Sequence, residues 1–323
     1  MMEARRHMLD GIARMRDGDF STALHHFEEA AALRESQPWQ DDPQAAWLLA
    51  AAHINRSDVL RFLDRHEEAV HSLDRAIQAM AHVPLDQNSD CPDRLILAWI
   101  NRATTRGESG KPAEALTGFS KAEELLEKWG AAVTPERQLL ASMLHVNRAR
   151  VFLALGRSID GWQSAGFALE VLKNLDPIGP VAEASIKARG ILCHALAILL
   201  DEPGGIKLTQ DWIATATDST EEALALIRSS GYRAPWLADF VRYGAKIYRI
   251  CQPHFLGEFI REWTTSDGPL AGDEVLKKEM FCELLLAKAE LEHRVRLRPH
   301  DTGHVQRALS TLSSLQSAEA ALS

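Results

Sequence analysis

The chain has 323 residues and a net charge of −9 at neutral pH. That balance excludes a general nucleic-acid binder, whose affinity comes from Lys and Arg neutralising phosphates. Ala and Leu dominate the apolar residues, with only three tyrosines and ten phenylalanines, which favours helices because strands select β-branched and aromatic side chains.

The four cysteines, Cys91, Cys193, Cys251 and Cys282, lie far apart with no CxxC pair. They read as thiols of a reducing compartment rather than a disulfide framework or a zinc site. The opening MMEARRHMLDGIARMRDGD has charges every few residues and no signal-peptide core. The longest apolar run, GILCHALAILL at 190–200, falls short of the roughly 20 residues that cross a bilayer. A cytoplasmic chain is the expectation.

In chain order, the first helical pattern ends at RDGDF (16–20), where Gly and Asp signal a turn. A second pattern follows, carrying Ala23, Phe27 and Ala30. DDPQAAW opens the next helix at Pro43, a residue tolerated in a first turn because its missing N–H breaks no bond there. That helix runs through HINR (53–56) to the turn LDRH (63–66), and HEEAVHSLDRAIQAM (66–80) answers it. The pattern repeats from CPDR through WINR (99–102) and the turn ESGKP (108–112), then from TPERQ through HVNR (145–148) and the turn LGRS (155–158). Thr134 reads as the N-cap of the TPERQ helix. Pro92, Pro135, Pro180 and Pro235 mark later helix starts.

The interval is constant. Asn55, Asn101 and Asn147 are each 46 residues apart, as are Ala23, Ala69, Ala115 and Gly161, and Ala30, Ala76, Ala122 and Ala168. Gly11, Ser57, Ala103 and Ala149 form a further column. Small residues at fixed positions imply close helix crossings, where a Leu would overpack the contact by roughly 1–3 kcal/mol. Each unit is therefore predicted as helix A, a tight turn and helix B, clear over 5–175 and more divergent over 176–265. Beyond DEPGGIKLT, helices are expected at 209–231, about 235–250, 253–264 and 273–297. An amphipathic helix at 304–322 could cap the stack, so that a long helix and a cap fill 270–323 of a single 1–323 array.

The A-x3-F step of Ala23–Phe27 and Ala115–Phe119, loosened to Ala69–Leu73, resembles tetratricopeptide repeats. The usual Trp appears only at Trp99, with His7, His53 and His145 in its column, and Arg56, Arg102 and Arg148 stand where Leu is usual. The longer period, the Asn two places before the small residue and the Pro-Asp opening look like kinesin light chain repeats. The resemblance implies an all-α, right-handed superhelix of about six to seven hairpins acting as a non-enzymatic adaptor, with no cofactor or metal. It also implies a protein partner: an extended peptide or a filament surface, in a bacterial setting a tubulin-like one. A peptide-sensing regulator and a linker between cytoskeleton and membrane surface are the alternatives.

By the same resemblance, helix A lines a groove into which Asn55, Asn101 and Asn147 point. A carboxamide offers a donor and an acceptor together, matching the alternating groups of an extended backbone. Asp58, Thr104, Arg150 and Arg189 would supply specificity nearby, although the same amides could instead solvate the face or tie repeats together. The three arginines are expected to be half-buried and paired, with Asp10, Glu68 or Asp160 as candidate acids, or else to form a cationic stripe. Arg294, Arg296 and Arg298 in EHRVRLRPH could meet an anionic surface or simply solvate a helix end.

No catalytic signature is found. HEEAVH places its histidines five apart, unlike H-E-x-x-H. GESGKP lacks P-loop spacing, and GWQSAG has one residue too many for a nucleophile elbow. His300 and His304 read as a chance pair, and His25 and His26 as surface.

Overall fold

The computed structural model describes residues 2–84, 90–130, 134–201, 210–230, 237–253, 255–264 and 274–297. Every regular element among them is an α-helix. The first hairpin is α1 (Met2–Arg16) with α2 (Phe20–Glu35), the second α3 (Pro43–Phe62) with α4 (His66–Met80), and the third α5 (Asp90–Glu108) with α6 (Pro112–Trp129). They are followed by α7 (Pro135–Ala154), α8 (Ser158–Leu172), α9 (Pro180–Asp201), α10 (Gln210–Ser230), α11 (Leu237–Cys251), α12 (Leu256–Thr264) and α13 (Glu274–Leu297). Pro235, the 201–208 insertion beyond its first residue, and the expected helix at 304–322 lie outside the described residues.

Local chemistry sets the helix starts. Asp19 Oδ1 accepts from Thr22 N at 3.2 Å, and Asp42 Oδ1 accepts from Gln44 N and Ala45 N at 2.9 and 3.2 Å. Thr134 Oγ1 accepts from Arg137 N at 3.2 Å, as a cap must to satisfy an amide with no partner inside the helix. Pro43, Pro112 and Pro135 occupy first positions. The turns carry the period in their dihedrals: Gly18, Asp64, Gly110 and Gly156 have φ of 77°, 55°, 75° and 70°. These four left-handed residues are spaced by the same 46 residues as the asparagines.

The helices form two compact units: residues 1–155 with 170–174, and residues 156–169 with 175–323. In the first, each helix packs on its sequence neighbour, and α1, α3, α5 and α7 also touch in succession. Phe27 and Phe119, the aromatic ends of the A-x3-F steps, are fully buried, as is Leu73. Ala23, Ala30, Ala69, Ala76, Ala115 and Ala122 are all inaccessible; in the second unit Ala168 is inaccessible too, and Gly161 is buried. The reason is visible at Gly11, where an added Cβ would lie 2.7 Å from the Phe27 ring, and at Gly118, where it would lie 2.9 Å from Ala103 Cβ. These crossings have no room for another atom.

In the second unit α9 packs on α10 and α11, and α11 on α10, α12 and α13. Gly244 on α11 repeats the arrangement of Gly11: its Cβ would sit 2.7 Å from the Phe259 ring on α12. Ile186, Leu196, Phe240 and Val241 fill this core. Among the described residues no helix is long and apolar enough to cross a membrane, and no cluster of His, Cys, Asp or Glu could hold a metal ion.

Candidate functional site

The helices of the first unit that open each hairpin, together with α7, have two working sides. On α3, Leu49, His53, Ser57 and Leu60 are buried toward the neighbouring helices. Ala51, Asn55, Asp58 and Phe62 follow at spacings of four, three and four, which places them together on another side. The equivalent positions are Leu97, Asn101, Thr104 and Glu108 on α5, and Met143, Asn147 and Arg150 on α7. The repeat register gives these residues the equivalent side of each helix, and α3, α5 and α7 touch in succession.

The three asparagines are not equivalent. Asn55 and Asn147 are half-buried, whereas Asn101 is 6% exposed and its Nδ2 donates to Asp58 Oδ1 at 3.2 Å. Thr104 is also buried, its hydroxyl donating to the Ile100 carbonyl at 2.8 Å. Arg150 is exposed. Arg189 belongs to the second unit, where it pairs with Glu222. The side chains of Arg294, Arg296 and Arg298 lie outside the described residues.

Asp58 is half-buried, and burial pushes its carboxyl up to about 6 while Arg61 pulls the other way. Arg61 itself grips Glu108 on α5, through Nε at 3.1 Å and Nη2 at 2.9 Å. Glu67, on α4, takes both Arg106 and Lys111, at 3.0 and 2.7 Å. The sequence reading missed the apolar members: Phe62 is 64% exposed, Leu9 59% and Met143 37%. Their signal was phase, since Leu9 stands 46 residues before Asn55, and Phe62 and Met143 lie one turn from Asp58 and Asn147.

The column arginines are paired, but not with the acids expected. Arg56 binds Glu28 at 3.1 Å, Arg102 binds Asp74 at 2.6 Å and Arg148 binds Glu123 at 2.8 Å. Each reaches back to the preceding B helix, α2, α4 or α6. Of the acids expected, Glu68 pairs with Arg65 and Asp160 with Arg157, while Asp10 lies 4.0 Å from Arg6.

His53 has an arrangement resembling a hydrolytic relay: its Nδ1 lies 3.3 Å from Ser72 Oγ and its Nε2 lies 3.2 Å from Glu35 Oε1. Ser72, however, is inaccessible and donates to the His53 carbonyl at 3.0 Å, so no substrate reaches it. Burial lowers the His53 imidazole to about 4, and burial does the same to His145, beside Arg148. His25 is exposed as expected, but His26 turns inward to His7, with their Nδ1 atoms 3.0 Å apart.

No protein-family model matches the chain, and no curated protein sequence matches it. Solved structures do. The apo form of RapI superposes with a TM-score of 0.56 at 16% identity, over 98% of this chain and 97% of that one. The apo form of the quorum sensor NprR from B. thuringiensis gives 0.58 at 12%, over 96% and 75%. The TPR-like repeats of a Podosopora anserina putative kinesin light chain give 0.50 at 14%, over 70% and 94%. The fold is tetratricopeptide-like. At these identities the likeness concerns the fold alone, which many functions can share.

Proposed function

We propose that this protein is a non-enzymatic binding module that takes an extended peptide segment on the face made by α3, α5 and α7. The observation that carries this reading is the composition of that face. Two half-buried carboxamides, Asn55 and Asn147, flank an engaged Asn101–Asp58 pair, and exposed apolar side chains stand beside them. Amides suit the alternating N–H and C=O of an extended backbone, and exposed Phe62 and Met143 supply apolar contact. Each neutral hydrogen bond contributes only about 0.5–1.5 kcal/mol net, so the amides alone give modest affinity.

Sensing of a signalling peptide is the function we favour. It draws support from the fold shared with a quorum sensor, at a similarity that carries the fold alone. The filament-adaptor reading rests on the fold shared with kinesin light chain repeats. A tubulin-like partner adds a step that no residue here carries, and membrane linkage rests on arginines whose side chains lie outside the described residues.

The test is hydrogen exchange of the full chain with and without peptides selected from a random hexapeptide library. Protection is expected on α3, α5 and α7, and Asn55→Ala with Asn147→Ala should weaken binding while leaving helicity intact. Protection confined to other helices, or binding indifferent to both substitutions, overturns the reading.

A further inference from the structure

One carboxyl on the proposed peptide face breaks the rule obeyed around it. Arg56, Arg102 and Arg148 each have an acid, and Glu67 and Glu108 each have a cation. No Lys, Arg or His among the described residues forms an ion pair with Asp58, and Arg61 acts on it only at a distance. Among the described residues its hydrogen bond comes from the neutral Asn101 amide, and the Arg61 guanidinium three residues on is committed to both oxygens of Glu108.

Taking a carboxylate out of water with no cation bonded to it is costly. Asp58 as a residue is nevertheless half-buried rather than fully enclosed. A cation brought from outside would recover that cost, and the acidic chain as a whole attracts one. The neighbouring surface narrows the kind of cation. Phe62 lies four residues along the same helix, 64% exposed, its ring stacked on Phe20 with centroids 4.7 Å apart and so held in place. An acid one helical turn from a fixed aromatic ring matches a side chain with an apolar stem and a charged head.

Resting on the peptide-binding reading, we propose that Asp58 and Phe62 form a subsite for one lysine or arginine side chain of the bound peptide, with Asn101 positioning the carboxylate. The stem lies along Phe62 and the head reaches Asp58. Asn55, three residues before Asp58, holds the peptide backbone beside it.

The experiment uses the full chain and a library of acetylated, amidated hexapeptides, so that neither terminus supplies charge. A lysine or arginine should be enriched at one position of the peptides retained. For the best of these, replacing the lysine with norleucine, or an arginine with norleucine likewise, should weaken binding roughly tenfold to hundredfold, the worth of a charge-assisted bond. Asp58→Asn keeps the shape and an acceptor for Asn101, and should cost the basic peptide the same factor. In that variant the norleucine peptide should bind as it does to the native chain. If retained peptides show no basic preference, or if norleucine costs as much in Asp58→Asn as in the native chain, the subsite is refuted while peptide binding stands. If the native chain retains no hexapeptide at all, both fall together.

Discussion

Asn101 on α5 donates its amide to the Asp58 carboxyl on α3 across 3.2 Å, joining two helices that open successive hairpins. An amide is the fitting partner for an acid that burial moves toward neutrality, since its N–H satisfies an oxygen in either protonation state. Removing it should hurt more than changing the acid. Asn101→Ala leaves Asp58 without that donor and is expected to lower stability by about 1–3 kcal/mol. Asp58→Asn, which keeps an acceptor and removes a buried charge, should be neutral or stabilising at pH 7.5. Urea unfolding of the two variants beside the native chain checks the order; a larger loss in Asp58→Asn would refute it.

Acid sensitivity follows from two histidines, His53 buried and His145 half-buried. Burial holds His53 and His145 down to about 4, against about 6.5 in an unfolded chain. Between those values the unfolded chain binds more protons, so their contribution is fully present above about 6.5 and is lost as pH falls toward 4. Asp58 works in the opposite sense. Raised to about 6 from 3.8, it favours the folded state at low pH and loses that contribution as pH rises through about 6. Two histidines against one aspartate predict a net loss of stability on acidification. Comparing urea midpoints at pH 7.5 and 5.0 should show the fall, and His145→Gln should shrink it. An unchanged difference in that variant would remove His145 from the account.

The repeat was legible because close helix crossings leave a trace in composition. Ala30, Ala76, Ala122 and Ala168 are all inaccessible, and no larger side chain could stand there without displacing a neighbouring helix. Pairing across helices leaves a weaker trace. The acids facing Arg56 and Arg102, Glu28 and Asp74, are themselves 46 residues apart, but the third, Glu123, is out of phase, which hid the column. The binding face was only partly legible for a related reason. Asn101 shares its phase with Asn55 and Asn147, yet it is buried and engaged because Asp58 stands opposite, where the equivalent later positions hold Thr104 and Arg150. Phe62 reads as core from its type alone, and only the packing leaves it outside.

The turn column offers a test of the period itself. Gly18, Gly110 and Gly156 have left-handed φ, and an added Cβ at any of them meets nothing within 4 Å. Replacement by Ala therefore costs conformational strain alone, about 1–2 kcal/mol at each position. Asp64 occupies the same column with φ of 55°. There Asp64→Gly should be tolerated, and Asp64→Ala should be the less stable of the two, because Asp visits this region more readily than Ala. Thermal unfolding of the four Ala variants gives the comparison. Losses at Gly110 but none at Asp64 would mean that the second turn is not built like the others.

The crossing of α5 and α6 can be probed from both sides. At Gly118 an added Cβ would lie 2.9 Å from Ala103 Cβ and 3.3 Å from Ala103 Cα, and the second of these is backbone that cannot rotate away. Gly118→Ala gains up to about 1 kcal/mol of helix propensity, but the crowding at a packed crossing costs roughly 1–3 kcal/mol, so a net loss is expected. Ala103→Gly removes the first of the two contacts. It should be destabilising alone, through lost burial and propensity, yet should restore part of the loss when combined with Gly118→Ala. The double-mutant cycle would then show a favourable coupling between the two positions, of the order of 0.5–3 kcal/mol for residues in contact. Additive losses would mean that the helices separate to admit the methyl group, and that the small-residue columns mark tolerance at this crossing rather than necessity.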